Sequence, residues 1–577
     1  MKKTILPLMA IVGNASIARA LSERFTRSKY YFAIMEEPWV SRPDAENEII
    51  RRNNLLASFQ HEYLILAGCG EKTRELFMKH FPLKYHRRVI VIEEDAGIDK
   101  FMGILKKYLN KSTVDKQYID LSELQHLATS EQIAVIEKSD SIGEVIAENF
   151  CIANGYKILK VEKVTKELAD EVDELLRNWN LAEDSLIRKE SKDELFKILR
   201  SRVGKLEEFE FKRVVFFTNG IPYGILPFRS PVAHFLLERD LGLQILRGYK
   251  RINEGNSSFA LSMICDPGDI PNTESVGIKK KFKTNGIDIL DLSGANAQPY
   301  RFMHLIERYP FDFIMISSHA GELSGKRITS KVTSSKGIIN DVVYDLYACF
   351  ALQPGEDKVT VTELIIPISI DGILWTDKKQ LRDNDRARHF NFEEFRKDLN
   401  YDKKEKIIKT EDRKGRKFSN ALQLYKGSWI PALHVVGDIR YPIIFNNACS
   451  SWIEMANRFL FAGASVYIGT TKDINTIMAS DCGIKFIEFA LKQKSMLFSL
   501  FRAQKTFVRE LGYSPYLYWG HPDISLRPTY LDAQKIKKQR IQDVISGLNK
   551  KLFEYKDDLM KKTIRSFIKC ILEAGKV

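Results

Sequence analysis

The seven cysteines of this chain, Cys69, Cys151, Cys265, Cys349, Cys449, Cys482 and Cys570, show no pairing pattern and no CxxC. That is the usage of a reducing compartment, and it excludes a recognisable zinc knuckle. No apolar run approaches the ~20 residues of a membrane span, so no membrane partner is expected. Fixed-period repeats are missing too, as is the three-glycine dinucleotide fingerprint that opens a helix after a strand. The stretch AGELSGKR, residues 320 to 327, imitates a phosphate loop but fails on detail. Ala320 stands at its first glycine, and Arg327 stands where a hydroxyl would hold Mg²⁺. The sequence therefore predicts no nucleotide, metal or other cofactor.

With 577 residues, 44% of them apolar, the chain has the length of about three to four domains, each able to bury a core. A net charge of +14 and a pI near 9.1 suit an acidic partner. The 75 acidic residues are interspersed among the 89 basic ones, however, so nucleic acid is left as an indirect partner. The opening MKKTILPLMAIVGNASIARA has the basic start, apolar stretch and small-residue end of a signal peptide, yet Ile5 to Val12 also reads as the first strand of an α/β unit. A free thiol is easier to keep reduced in the cytoplasm, which is the localisation expected.

Apolar runs alternate with amphipathic stretches over residues 1 to 165, predicting an N-terminal α/β domain with parallel pairing. Residues 166 to 207 lack strand signals and form a helical bridge. From residue 257 strand and helix alternate again, through FALSMICDPGD, IDILDLSG and FDFIMISSHAGE. Phe313 to Ile316 and Ile443 to Phe445 are short continuous apolar runs of the kind buried on both faces of a parallel sheet. Each runs out into small residues, the first at His319 and the second at Cys449. Loops at the carboxyl ends of such strands are where α/β folds place their chemistry. After Cys449, residues Trp452, Met455, Ala456, Phe459 and Leu460 recur at helical spacing up to Gly463, which would set the thiol beside a helix N-terminus and favour thiolate. Residues 531 to 577 return to helix, with Ile541, Val544, Ile545, Leu548, Leu552, Tyr555 and Leu559 on one apolar face, most simply packed on the protein itself.

Residues 208 to 530 resemble a CHAT domain, a caspase-like cysteine peptidase of the clan that includes caspases, separases and gingipains. The resemblance is carried by the two strand ends just described, by TNGIPYGILPFRSPVAHFLLERDLGLQILRG, by the Arg-x-Ala-Gln pattern in LFSLFRAQKTFVREL, and by YLYWGHPDISLRP. It implies an α/β fold, a mostly parallel caspase-like sheet flanked by helices, here preceded by the α/β N-terminal half and followed by the helical extension. It also implies a thiol endopeptidase acting on a protein substrate, with Cys449 as nucleophile and His319 as general base, and with backbone N–H groups of Cys449, Ala320 and Gly321 around the oxyanion. Ala320 departs from the glycine frequent after the histidine in this family, which puts the donor assignment in doubt. Asp473 is the candidate base of a pocket for a basic residue; its competing role is to cap the following helix. Relatives act in bacterial defence and cell death, so a regulatory protein partner is implied; the competing reading is a catalytically idle binding module for protein or nucleic acid.

The cysteine strand does not follow the histidine strand directly, because a long insertion, about residues 325 to 438, intervenes. Its first part is β-rich, and residues 377 to 417, with Lys403, Lys404, Lys406, Arg413, Lys414, Arg416 and Lys417 among acidic neighbours, read as a mobile charged loop open to limited proteolysis. His234 reads as a buttress of the fold and His434 as a neighbour of the site.

Overall fold

Short runs rich in Val, Ile and Phe, too short for helices and bounded by turn residues, make the strands of a mixed α/β protein. The computed structural model describes residues 8–25, 32–38, 45–59, 61–81, 86, 88–93, 97–108, 118–237, 240–254, 259–268, 273–321, 325–333, 337–352, 359–375, 377–387, 390, 405–413, 421–431, 435–437, 440–492, 495–528, 532–554 and 558–575. Strands β1 (Leu8–Val12), β2 (Ala33–Glu36), β3 (Tyr63–Ala67) and β4 (Val89–Ile92) form a parallel sheet of order β2-β1-β3-β4. The next seven are β5 (Gln132–Glu137), β6 (Lys157–Val161), β7 (Arg213–Thr218), β8 (Val232–Leu236), β9 (Leu261–Asp266), β10 (Asp288–Ser293) and β11 (Phe313–Ile316). After β12 (Ala320–Gly321) the insertion supplies β13 (Gly325–Thr333), β14 (Ile339–Leu352), β15 (Val359–Ile370), β16 (Ile373–Leu374), β17 (Glu405–Arg413), β18 (Ala421–Leu424) and β19 (Gly427–Trp429). Strands β20 (Ile443–Asn446), β21 (Val466–Thr470) and β22 (Tyr516–Gly520) complete the set.

The principal sheet has ten strands in the order β10-β9-β11-β20-β21-β22-β8-β7-β5-β6. Every pairing in it is parallel except one: β22 runs antiparallel to β21. The alternating strands of residues 1 to 165 are thus divided, β1 to β4 in the small sheet and β5 and β6 at the edge of the large one. Side chains alternate between two cores across the large sheet. Phe313, Met315, Ile443 and Phe445 enter one, which also takes in the small sheet; Ile314, Ile316 and Ile444 enter the other. Each such buried side chain contributes roughly 1.5–3 kcal/mol relative to exposure. No helix among the described residues is long and apolar enough to cross a membrane.

The bridge is a pair of antiparallel helices, Lys166–Leu181 and Ser185–Val203, started by Thr165 and Asp184, whose side chains accept the Leu168 and Leu186 N–H groups. At the C-terminus lie the helices Ala533–Glu554 and Asp558–Gly575. Ile541, Val544 and Leu548 are buried in the second core and Ile545 and Leu552 pack against it, so this apolar face is satisfied within the protein. Tyr555 and the Leu559 side chain lie outside the described residues.

The insertion is more ordered than its charge suggested. Strands β13 to β17 form an antiparallel sheet of order β16-β15-β14-β13-β17 with its own small core of Ile328, Val332, Val342 and Tyr344. Within the charged stretch, Lys378–Asp383 is helical and Glu405–Arg413 is β17, bonded along β13. Lys406 and Arg413 therefore sit in a paired strand. Lys403, Lys404, Lys414, Arg416 and Lys417 lie outside the described residues.

Candidate active site

Strands β11 and β20 are neighbours in the large sheet, and Ile316 pairs with Asn446 at their carboxyl ends. His319 follows the first by three positions and Cys449 follows the second by three, so the topology delivers both to the same edge at matched register. His319 is exposed and Cys449 half-buried.

The cysteine turn is braced from beneath. Asn446 Oδ1 accepts the Ala448 N–H (3.1 Å), Thr470 Oγ1 donates to the Ala448 carbonyl (2.7 Å), and the Trp452 N–H reaches the Thr470 carbonyl (3.2 Å). Ser450 adopts φ 49°, a left-handed conformation costly for a residue with a Cβ and concentrated at functional turns. The helix Glu454–Ala462 starts only after this turn and ends at Gly463, as the spacing predicted, so Cys449 precedes its first turn by several residues. The dipole reading of the thiol is corrected accordingly. Burial pushes the thiol up from its ordinary value, and the Asp473 carboxylate adds to this against the Ile474 N–H, which favours thiolate.

Asp473 lies on the loop after β21 and is exposed. Its Oδ1 accepts from Ser450 Oγ (3.2 Å) and from Asn180 Nδ2 (3.2 Å), while its N–H donates to Asn180 Oδ1 (3.1 Å). It does not cap the next helix: Asn475 does, accepting the Ile477 N–H. Asn180, which the sequence did not single out, also donates to Ser450 Oγ (3.1 Å), so the end of the first bridge helix rests on the cysteine turn. Beside it the Lys472 ammonium lies 4.7 Å from the Trp179 ring centre.

The stretch after His319 is a strand where a turn was expected. Ala320 and Gly321 pair antiparallel with Leu422 and Ala421, and the Gln423 N–H donates to the His319 carbonyl (2.9 Å). Because backbone groups alternate sides along a strand, the Gly321 N–H points at β18 and the Ala320 N–H away from it. Of the two candidate donors in this strand, Ala320 is the one left for an oxyanion. Ser318 Oγ donates to the Gln423 carbonyl, a further tie between the histidine segment and the returning insertion.

Underneath both segments lies Glu274, in the first turn of the helix Thr273–Thr284 and missed by sequence reasoning, since an acidic residue there reads simply as a favourable helix start. Its Oε2 accepts from Ser317 Oγ (2.9 Å) and its Oε1 from Asn447 Nδ2 (2.7 Å). Asn447 also donates to the Ala479 carbonyl (3.2 Å) and accepts from Tyr516 Oη (2.6 Å). A cleft of about 530 Å³ shares Tyr516 with these contacts and is walled otherwise by Phe228, Arg229, Lys505 and Arg509 among others, none of them a predicted site residue.

His234 is fully buried: its Nε2 accepts the Gly224 N–H (3.1 Å) and its Nδ1 donates to the Tyr518 carbonyl (3.2 Å). Burial holds it down at about 4, a neutral structural ring as expected. His434 lies outside the described residues. Among the described residues, no three His, Cys, Asp or Glu side chains converge in a way that could hold a metal ion. The chain matches no protein-family model and no curated protein.

Proposed function

We propose that the protein is a cysteine endopeptidase of the CHAT type, working in a reducing cytoplasm, with Cys449 and His319 as a catalytic dyad. One observation carries this reading: both residues sit three positions beyond paired ends of adjacent parallel strands, Ile316 opposite Asn446. In this reaction His319 takes the thiol proton as Cys449 attacks a peptide carbonyl, then gives it to the leaving amine; water hydrolyses the thioester. The Cys449 and Ala320 N–H groups face the developing oxyanion. The CHAT resemblance supports activation by a regulatory protein partner. Asp473 is the proposed recognition carboxylate for a basic residue of the protein substrate, and its present contacts with Asn180 and Ser450 are what such a residue would displace or join. Labelling tests the proposal: a peptide-based thiol inhibitor should modify Cys449 alone among seven cysteines, and His319→Ala should slow that labelling strongly. Uniform labelling of several cysteines, indifferent to His319, would remove the case for a dyad.

A further inference from the structure

Ser317 and Asn447 stand two residues before His319 and Cys449 respectively, and one carboxyl group holds both. Glu274 is 4% exposed, Ser317 7% and Asn447 5%, so the whole contact is sealed beneath the strand ends. Its two oxygens are shared one to each segment, at 2.9 Å to Ser317 Oγ and 2.7 Å to Asn447 Nδ2. The surroundings are shaped to admit it. A Cβ built on Gly483, in the helix Thr476–Leu491, would run into Glu274 Oε1, so glycine there leaves the carboxyl its room. From the other side Tyr516 Oη fixes the Asn447 amide by donating to its Oδ1, which leaves the Asn447 amino group to face Glu274.

We propose that Glu274 is a positioning residue for the dyad: a buried clasp that sets the separation of the histidine and cysteine segments by binding Ser317 and Asn447 together. The inference rests on the dyad reading above. A core of this density transmits small displacements, and misplacing reacting groups by about 1 Å costs up to a hundredfold in rate. The charge of the clasp depends on pH. Burial pushes the Glu274 carboxyl up to about 8, with Asp266 at the end of β9 adding to it and the bonds from Ser317 and Asn447 opposing. Cys482 on the neighbouring helix and Tyr516 on β22 also face it, and both are themselves driven well up by burial. The bonds from Ser317 and Asn447 favour the ionised carboxyl, so ionisation above about 8 strengthens the clasp bonds while burial and Asp266 oppose the charge.

Iodoacetamide alkylation of Cys449, followed by mass spectrometry across pH 6 to 10 in the full-length protein, reads dyad geometry without needing a substrate. In wild type the rate should depend on His319, falling about tenfold or more in His319→Ala. Glu274→Ala should lose most of that dependence. Ser317→Ala, which removes one arm and leaves the helix start untouched, should lose several-fold and guards against a folding artefact. Glu274→Gln keeps an oxygen for Asn447 and an amide for Ser317, whose hydroxyl can turn to accept. It should restore the neutral-pH rate. A wild-type rate indifferent to His319 overturns the dyad and the clasp with it. A His319-dependent rate that Glu274→Ala and Ser317→Ala both leave unchanged overturns the clasp alone, as does a Glu274→Gln protein no better than Glu274→Ala.

Discussion

At its amino end β11 begins from Asp312, a fully buried carboxylate that accepts from Arg251 (3.0 Å), Arg440 (3.2 Å), Arg540 (2.7 Å) and the Ala260 and Leu261 N–H groups (2.8 and 3.1 Å). At its carboxyl end, after four buried apolar residues, it passes through Ser317 and Ser318 to an exposed histidine. Arg540 belongs to the C-terminal helices, so the amino end also fastens that extension to the sheet. One end is a buried carboxylate held by three guanidinium groups; the other offers small side chains, few and directional hydrogen bonds, and an open edge. The same strand thus separates what holds the fold from what is available for chemistry, and substitutions at its two ends should fail in different ways.

The sharpest contrast is in activity. Cys449→Ala and His319→Ala should each abolish peptide cleavage, a loss of about a thousandfold or more, while the melting temperature stays within a few degrees of wild type. Wild-type cleavage by Cys449→Ala would place the chemistry elsewhere. Asp312→Ala should do the reverse, costing about 3–5 kcal/mol in urea unfolding because three guanidinium groups lose their buried partner. Its activity per folded molecule should survive, and equal urea midpoints for mutant and wild type would dissolve the distinction between the ends.

Acid should also separate the Asp312 cluster from the buried histidines elsewhere in the protein. Burial holds His234 and His521 down at about 4. Their unfolded-state values lie near 6.5, so the unfolded chain binds the extra protons first, and stability should fall as pH drops from about 6.5 to 4, by roughly 1–3 kcal/mol for each ring. The Arg251, Arg540 and Arg440 charges hold the Asp312 carboxyl far below its usual range against burial, so its contribution is complete above about 4 and is lost only as pH falls further. Urea melts at pH 7, 5 and 4 should show that order in wild type and a flatter upper limb in His234→Gln.

The smallest effect concerns recognition. Removing the exposed Asp473 charge should let the Cys449 thiol ionise at lower pH and alkylate a few-fold faster at neutral pH, while a peptide library shows loss of basic preference. An unchanged alkylation rate together with an unchanged profile would leave Asp473 as a brace for Asn180 only.

Continuous apolar runs made β11 and β20 legible in the sequence, and with them the neighbourhood of His319 and Cys449, because strands buried on both faces leave that signature. Helix ends at Gly463 and the amphipathic C-terminal face were legible for the same local reason. What escaped depends on distant partners. Ala320 and Gly321 look like a turn until β18, returning from the insertion, pairs with them. Strand β2, four residues ending in a glutamate, carries too little pattern to stand out. The addition of β5 to β8 to the large sheet is a matter of edges, which composition does not encode. Asp473 was weighed as a cap because aspartate suits that position, yet Asn475 lies nearer the helix start and takes the role. Glu274 contributes through two residues remote in sequence, so a lone carboxylate in a helix's first turn gave no hint of it.

The single antiparallel seam, β21 against β22, reverses the direction of half the large sheet. Strands β5, β7 and β8 consequently end on the edge opposite His319 and Cys449, where Glu137 gathers the Thr218 hydroxyl, the Asn219 N–H and the Tyr223 hydroxyl at 2.9, 2.7 and 3.0 Å. The molecule has two fronts facing away from each other, one strand length or roughly 17–20 Å apart. The helical bridge touches both: Arg202 donates to the Tyr223 hydroxyl (2.7 Å) on the far front, and Asn180 donates to Ser450 Oγ (3.1 Å) in the cysteine turn, so a load on one front has a helical path to the other.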